Sequence, residues 1–302
     1  MLFRSELYAQ LAGIRTDYGR AHSLKNHHER YGPDFTGRPL IRSFDDETRI
    51  VLLGHSFGGA TVRLLTKLMA DGSSEEREAT HPVDLCSLFK GGMEKRIFAV
   101  VTLAAPTNGT TAYDMYEDPD YDISKINIPF KYRMLAKMMS MGTRMKTDGR
   151  SAEDYANYDM AIDNAIAMNQ TIRTLPGTYY FSVACSSTVW QEDGTAYPDS
   201  EITEGMFMRS SILMGKYKGK TAGGKEIDES WRQNDGLVNT VSARAPFEAP
   251  QKTFDKLNIE KGVWNILPDY PGDHASLQGG FTVKHDPWPF YESLLEIISS
   301  LN

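Results

Sequence analysis

Ser56 stands in Gly54-His55-Ser56-Phe57-Gly58, directly after the aliphatic run Ile50 to Leu53 and directly before the amphipathic stretch ATVRLLTKLMA, Ala60 to Ala70. That order predicts a strand, a sharp turn and a helix, with the serine at the apex. The glycines two before and two after it leave room for a strained turn that holds the hydroxyl exposed at a helix N-terminus. A hydroxyl so placed attacks a carbonyl carbon when an imidazole takes its proton, a carboxylate orients the imidazole, and N–H groups receive the oxyanion. The chemistry implied is acyl transfer.

The base must be a histidine. Three histidines follow Ser56: His81, His274 and His285. In α/β-hydrolases the chain order is Ser, then Asp or Glu, then His. His81 precedes the second strand, which is too early. His274 follows the strand GVWNIL in DYPGDHASLQGG, where a loop leaves the carboxyl end of a sheet. It is preferred to His285, which lies nearer the terminal helix. For the acid, Asp235 sits in the turn-like Asn234-Asp235-Gly236, and Asp193 and Asp228 are equally admissible from the residues alone. Asp273 adjoins His274, too close in the chain for its side chain to face the ring.

These residues need a scaffold. Apolar runs predict strands at 49–53, Ile97 to Leu103, Thr178 to Cys185 and Gly262 to Leu267. Helical spacing marks Ala60 to Ala70, Ser151 to Arg173 and Pro289 to Leu301, with a further helix and then a polar loop in residues 1–32. Apolar strands separated by helices predict a mostly parallel α/β sheet. Residues 1–48 carry no convincing strand. Residues 186–230, rich in Gly, Ser, Asp and Thr, read as a long excursion from the sheet with little regular structure.

The 302 residues are 40% hydrophobic and 24% charged, with net charge −7 and pI near 5.6. This is an ordinary globular composition in which one domain over 1–302 is the simplest organisation. No long basic run occurs, so nucleic acid is not expected as a partner. No apolar run reaches the length a bilayer requires, and no secretory signal is visible at the start. Cys86 and Cys185 are read as free thiols rather than a disulfide.

The chain resembles the zinc-containing true lipases of thermophilic bacilli and their staphylococcal relatives. The resemblance is carried by DYGRAHSLKNHHERYG at Asp17, GHSFGGATVRLL at Gly54, SSEEREAT at Ser73 and SLFKGG at Ser87. It continues through TLAAPTNGTT at Thr102, YDMAIDNAIAMN at Tyr158, NDGLVNTVS at Asn234 and KGVWNILPDYPGDH at Lys261. It implies an α/β-hydrolase fold and hydrolysis of lipid esters such as triacylglycerols. It places the nucleophile on Ser56, the acid on Asp235, the base on His274 and one oxyanion donor on the backbone N–H of Phe57. It also implies a structural zinc, with ligands at His22, His28 and Asp159, and a location outside the cell.

The pattern is not matched throughout. There is no His-Gly dipeptide, the motif that supplies the family's second oxyanion N–H, and the fourth zinc ligand would fall near Leu2. The chain is therefore expected to be N-terminally incomplete relative to the family, with an apolar sheet edge left exposed. Loss of one oxyanion donor is expected to lower kcat by about 10²–10³. Ser276 stands where the family carries an acidic calcium ligand, so no calcium is expected. Residues 122–145, with Met134, Met138, Met139, Met141 and Met145, read as a lid able to touch a lipid interface.

Overall fold

The computed structural model describes residues 2–117, 158–279, 284 and 286–301. The segment 122–145, residues 151–157 of the predicted long helix, and His285 lie outside the described residues.

Helix α1 (Leu2–Ala12) leads into β1 (Arg15–Asp17), α2 (Arg20–Asn26) and β2 (Tyr31–Asp34). β1 and β2 form a small antiparallel pair, which corrects the reading of 1–48 as strandless. The strands are three and four residues long and mostly polar, so no period-2 hydrophobic signal could mark them. The nucleophile strand β3 (Ile50–His55) runs straight into α3 (Phe57–Asp71), with α4 (Ser74–Ala79) and α5 (Ser87–Lys90) following. Then come β4 (Ile97–Leu103), α6 (Thr111–Glu117), α7 (Ile162–Asn169) and β5 (Tyr179–Val183).

The stretch expected to be irregular, 186–230, holds more order than its composition advertises. β6 (Cys185–Ser186) precedes an antiparallel hairpin of β7 (Thr188–Trp190) and β8 (Ala196–Pro198). Helix α8 (Met208–Lys216) and a second pair, β9 (Gly219–Lys220) with β10 (Glu226–Ile227), complete it. Last come α9 (Thr240–Arg244), β11 (Gln251–Thr253), β12 (Trp264–Ile266), β13 (Tyr270–Pro271) and α10 (Trp288–Ser299).

The central sheet has five strands in the order β11-β12-β5-β4-β3, and every pairing in it is parallel. All four predicted sheet strands are present; the short β11 was not anticipated. Alternation along each strand divides the core between two faces. Ile50, Leu52, Val100, Tyr180 and Trp264 pack with α1, α3 and α5. Ala99, Val101, Leu103, Phe181 and Val183 pack with Leu294 and Ile297 of α10.

Among the described residues β3 is the terminal strand, and its second face is only partly covered. Val51 is 41% and Leu53 43% exposed, where a parallel sheet ordinarily buries both faces. Cys86 and Cys185 are free thiols.

Candidate active site

The turn after β3 places Ser56 at φ 55°, ψ −130°, a left-handed conformation that costs a non-glycine residue on the order of 1–3 kcal/mol. Its main-chain N–H donates to the Leu103 carbonyl at 2.8 Å, and its carbonyl accepts from Gly59 at 2.9 Å. The turn is thus fastened to the adjoining strand and to the helix it starts. A side chain at Gly54 would strike the Gly58 carbonyl, and one at Gly59 would strike Ala105. A Cβ at Gly58 would meet nothing within 4 Å. The steric need the sequence assigned to the glycine two after the serine therefore falls on the one three after it.

Three side chains from three separate loops converge at this turn. His274 Nε2 lies 2.7 Å from Ser56 Oγ, and His274 Nδ1 lies 2.9 Å from Asp235 Oδ2. The other carboxylate oxygen of Asp235 accepts the N–H groups of Leu237 at 2.9 Å and Val238 at 2.7 Å. Asp235 is fully buried and His274 is 5% exposed. An acceptor-only carboxylate facing Nδ1 fixes the proton there and leaves Nε2 as the lone-pair nitrogen toward the hydroxyl. Asp193 and Asp228, the rival acids, cap their own turns through Thr195 and Ser230.

The elements that hold Asp235 come from the end of β4. Thr111 N donates to Asn239 Oδ1 at 2.9 Å, and Thr110 Oγ1 to the Leu237 carbonyl at 2.6 Å. Asn108 Nδ2 donates to the carbonyls of Ser242 and Ala245. The segments TLAAPTNGTT and NDGLVNTVS are therefore two halves of one buried polar lattice, which converts the position of β4 into the position of the acid. On the other side, β13 pairs with β6 and delivers His274 three residues later. The Phe207 ring stands edge-on to His274 at 6.3 Å.

Phe57 is the first residue of α3, so its N–H belongs to the helix end whose dipole favours negative charge.

The residues that the resemblance implies as zinc ligands are only partly gathered. The rings of His22 and His28 are 5.1 Å apart. His28 Nδ1 donates to the Glu29 carbonyl at 2.8 Å, which orients the ring as metal-binding histidines commonly are. Asp159, however, forms an ion pair with Arg4 of α1, both side chains largely buried. Among the described residues no three of His, Cys, Asp and Glu stand together as a metal-binding group. Asp159 is thus turned to Arg4 rather than to the two histidines.

Two contributors to the site were not foreseen. His55 reaches the loop of His274 through the His274 carbonyl, and Gln278, on that loop, reaches back to His55. His55 lies in the motif itself, at the position between glycine and serine that the pattern leaves unspecified, and this was the one signal available.

A parallel sheet with a serine at φ > 0 between strand and helix, and the order Ser, Asp, His along the chain, defines an α/β-hydrolase. Comparison with known proteins narrows this: residues 3–139 and 139–282 match the family model described as "Lipase-like, C-terminal domain", and the chain belongs to that family. It is 30% identical over 332 residues to a lipase of Staphylococcus hyicus, covering 97% of this chain and 48% of that one. It is 28% identical over 298 residues to Lipase 1 of Staphylococcus aureus, covering 91% and 42%. The chain thus spans less than half the length of these relatives. Among solved structures it is similar to EstA from Clostridium botulinum, with a TM-score of 0.81 at 27% identity over 99% of this chain and 75% of that one.

Proposed function

We propose that this protein hydrolyses carboxylic esters of lipids, triacylglycerols among them, through an acyl-enzyme on Ser56. The observation that carries the reading is the continuous hydrogen-bonded line Asp235–His274–Ser56, at 2.9 and 2.7 Å, ending on a serine held at φ 55°.

Ser56 Oγ attacks the ester carbonyl while His274 Nε2 takes its proton. The negative charge on the tetrahedral oxygen falls to the N–H of Phe57 at the start of α3. Asp235 stabilises the imidazolium and then sees it discharged, as Nε2 passes the proton to the leaving alcohol. Water activated by the same nitrogen cleaves the acyl-enzyme, releasing the acid and restoring the serine. Lipid rather than small esters as substrates is supported by the lipase relatives and by the methionine-rich sequence of 122–145, proposed as the contact with the lipid surface. Export from the cell is proposed on the family likeness alone. Among the described residues no helix is long and apolar enough to cross a membrane.

The test is labelling by a fluorophosphonate probe alongside hydrolysis of p-nitrophenyl esters and of emulsified triacylglycerol, with Ser56→Ala as control. Labelling and hydrolysis of both substrates, lost in the variant, are expected. Hydrolysis of short esters alone would make the protein a small-ester esterase. A folded chain that takes no probe would be a catalytically silent relative.

A further inference from the structure

His274 is held by its main chain as well as by its ring. Its N–H donates to the Asp235 carbonyl at 2.8 Å, and its carbonyl accepts from His55 Nε2 at 2.8 Å. A carbonyl can only accept, so Nε2 of His55 carries the proton. On the far side of the ring, the Gln278 amide nitrogen lies 3.1 Å from His55 Nδ1 and donates to it. The two contacts select one neutral tautomer. The imidazole rings of His55 and His274 are 4.9 Å apart and tilted by 50°.

From this geometry we propose that His55 is a positioning residue for the ester hydrolysis proposed above: it ties the carbonyl of His274 to the strand end that carries Ser56. His55 is the last residue of β3 and the immediate neighbour of the nucleophile. The Ser56–His274 separation is then held by a bridge of one side chain between the two loops, in addition to the pairing of β13 with β6 and the Asp235 contacts that deliver His274. Gln278, four residues after His274, closes the bridge by turning the ring so that its donor faces the carbonyl. A neutral His55 also suits the reaction: a second positive imidazole beside His274 would oppose the imidazolium formed there. Burial and the neighbouring His274 hold its pKa down, at about 4, which keeps it uncharged at neutral pH.

Two replacements separate the donor from the bulk. His55→Phe keeps a ring and removes the donor; His55→Gln keeps an amide N–H within reach of the same carbonyl. With a soluble p-nitrophenyl ester, His55→Phe is expected to lower kcat about fivefold to tenfold, the equivalent of one unmade hydrogen bond. KM should be unchanged, since no contact with substrate is lost. His55→Gln should recover most of the rate. Should His55→Phe fail to fold, Gln278→Ala decides, with a smaller fall in kcat at constant KM. Wild-type kcat in a folded His55→Phe or, in its absence, in Gln278→Ala would overturn the proposal. So would a His55→Gln as slow as His55→Phe, or an effect on KM alone. The proposal rests on the triad reading: a wild type that hydrolyses no ester overturns both, whereas an active wild type with an indifferent His55 overturns this one only.

Discussion

Asp235 and His274 are joined twice: the carboxylate meets Nδ1 of the ring at 2.9 Å, and the Asp235 carbonyl accepts the His274 N–H at 2.8 Å. The ring contact depends on the side chain of Asp235 and the loop contact does not. This separation makes Asp235→Asn informative. The asparagine oxygen can still serve Leu237 and Val238, but its amide group would face Nδ1 and force the proton onto Nε2, the nitrogen that must be bare. We expect kcat to fall by about 10³–10⁴ with little change in thermal midpoint. Asp235→Ala should lose both, because two buried N–H groups would then lack an acceptor. Steady-state kinetics and thermal melts on the two variants check this.

The strain at Ser56 is open to direct measurement. A glycine takes φ 55° at no steric cost, so Ser56→Gly should be inactive yet more stable than wild type by on the order of 1 kcal/mol. Urea unfolding is the readout. A variant less stable than wild type would show that the strain in the turn is smaller than the chain entropy and the side-chain hydrogen bond that the glycine gives up.

The glycines around the serine divide into those that touch something and one that does not. Gly59→Ala and Gly54→Ala drive a methyl into packed atoms and should cost about 1–3 kcal/mol. Gly58→Ala meets open space and should be close to neutral in stability. Unfolding midpoints of the three variants decide it, and equal losses at 58 and 59 would contradict the geometry.

What the amino-acid sequence announces, and what it conceals, follows from where each signal lies. The elbow and the four main strands are written in consecutive residues, so Ile50 to Leu53 and Ile97 to Leu103 announce themselves. His274 was reachable because it follows a recognisable strand. Asp235 was not, on physics alone: what singles it out from Asp193 and Asp228 is the hold of Thr110 and Thr111 on Leu237 and Asn239, more than 120 residues apart in the chain. The β7–β8 hairpin escaped notice because its strands are three residues long and expose Val189, Trp190 and Tyr197, so no alternation of apolar and polar residues is left to read. The pairing of Asp159 with Arg4 was invisible for the same reason as Asp235, being a contact across 155 positions.

That ion pair bears on metal content. With Asp159 engaged by Arg4, zinc held through His22 and His28 should be weak, and dialysis against a mild chelator should remove it. Arg4→Ala, which releases the carboxylate, should retain more. Elemental analysis of the two proteins after dialysis measures this, and full retention of zinc by the wild type would contradict it. Ser276 donates to Asp273 at 3.1 Å, in place of an acidic ligand, so added calcium is expected to leave the thermal midpoint where it was.

The last prediction concerns acid stability. His55 has its pKa lowered to about 4 in the folded protein, first by burial and then by the neighbouring His274, whereas an unfolded chain would titrate this group near its ordinary value, about 6.5. Between these two values the unfolded state binds the extra proton, so stability rises with pH there. The contribution of His55 is accordingly intact above about pH 6.5, declines as pH falls through that window, and stops changing below about pH 4. The full span corresponds to on the order of 3 kcal/mol. Other groups titrate over the same range, so the meaningful quantity is a difference between two proteins. His55→Gln cannot take up the proton, and its unfolding free energy should fall less steeply than that of wild type between pH 6.5 and 4. Parallel urea titrations across that range supply the comparison. Identical slopes would mean that His55 takes up its proton in the folded state as readily as in the unfolded one, and that burial against His274 does not hold it neutral.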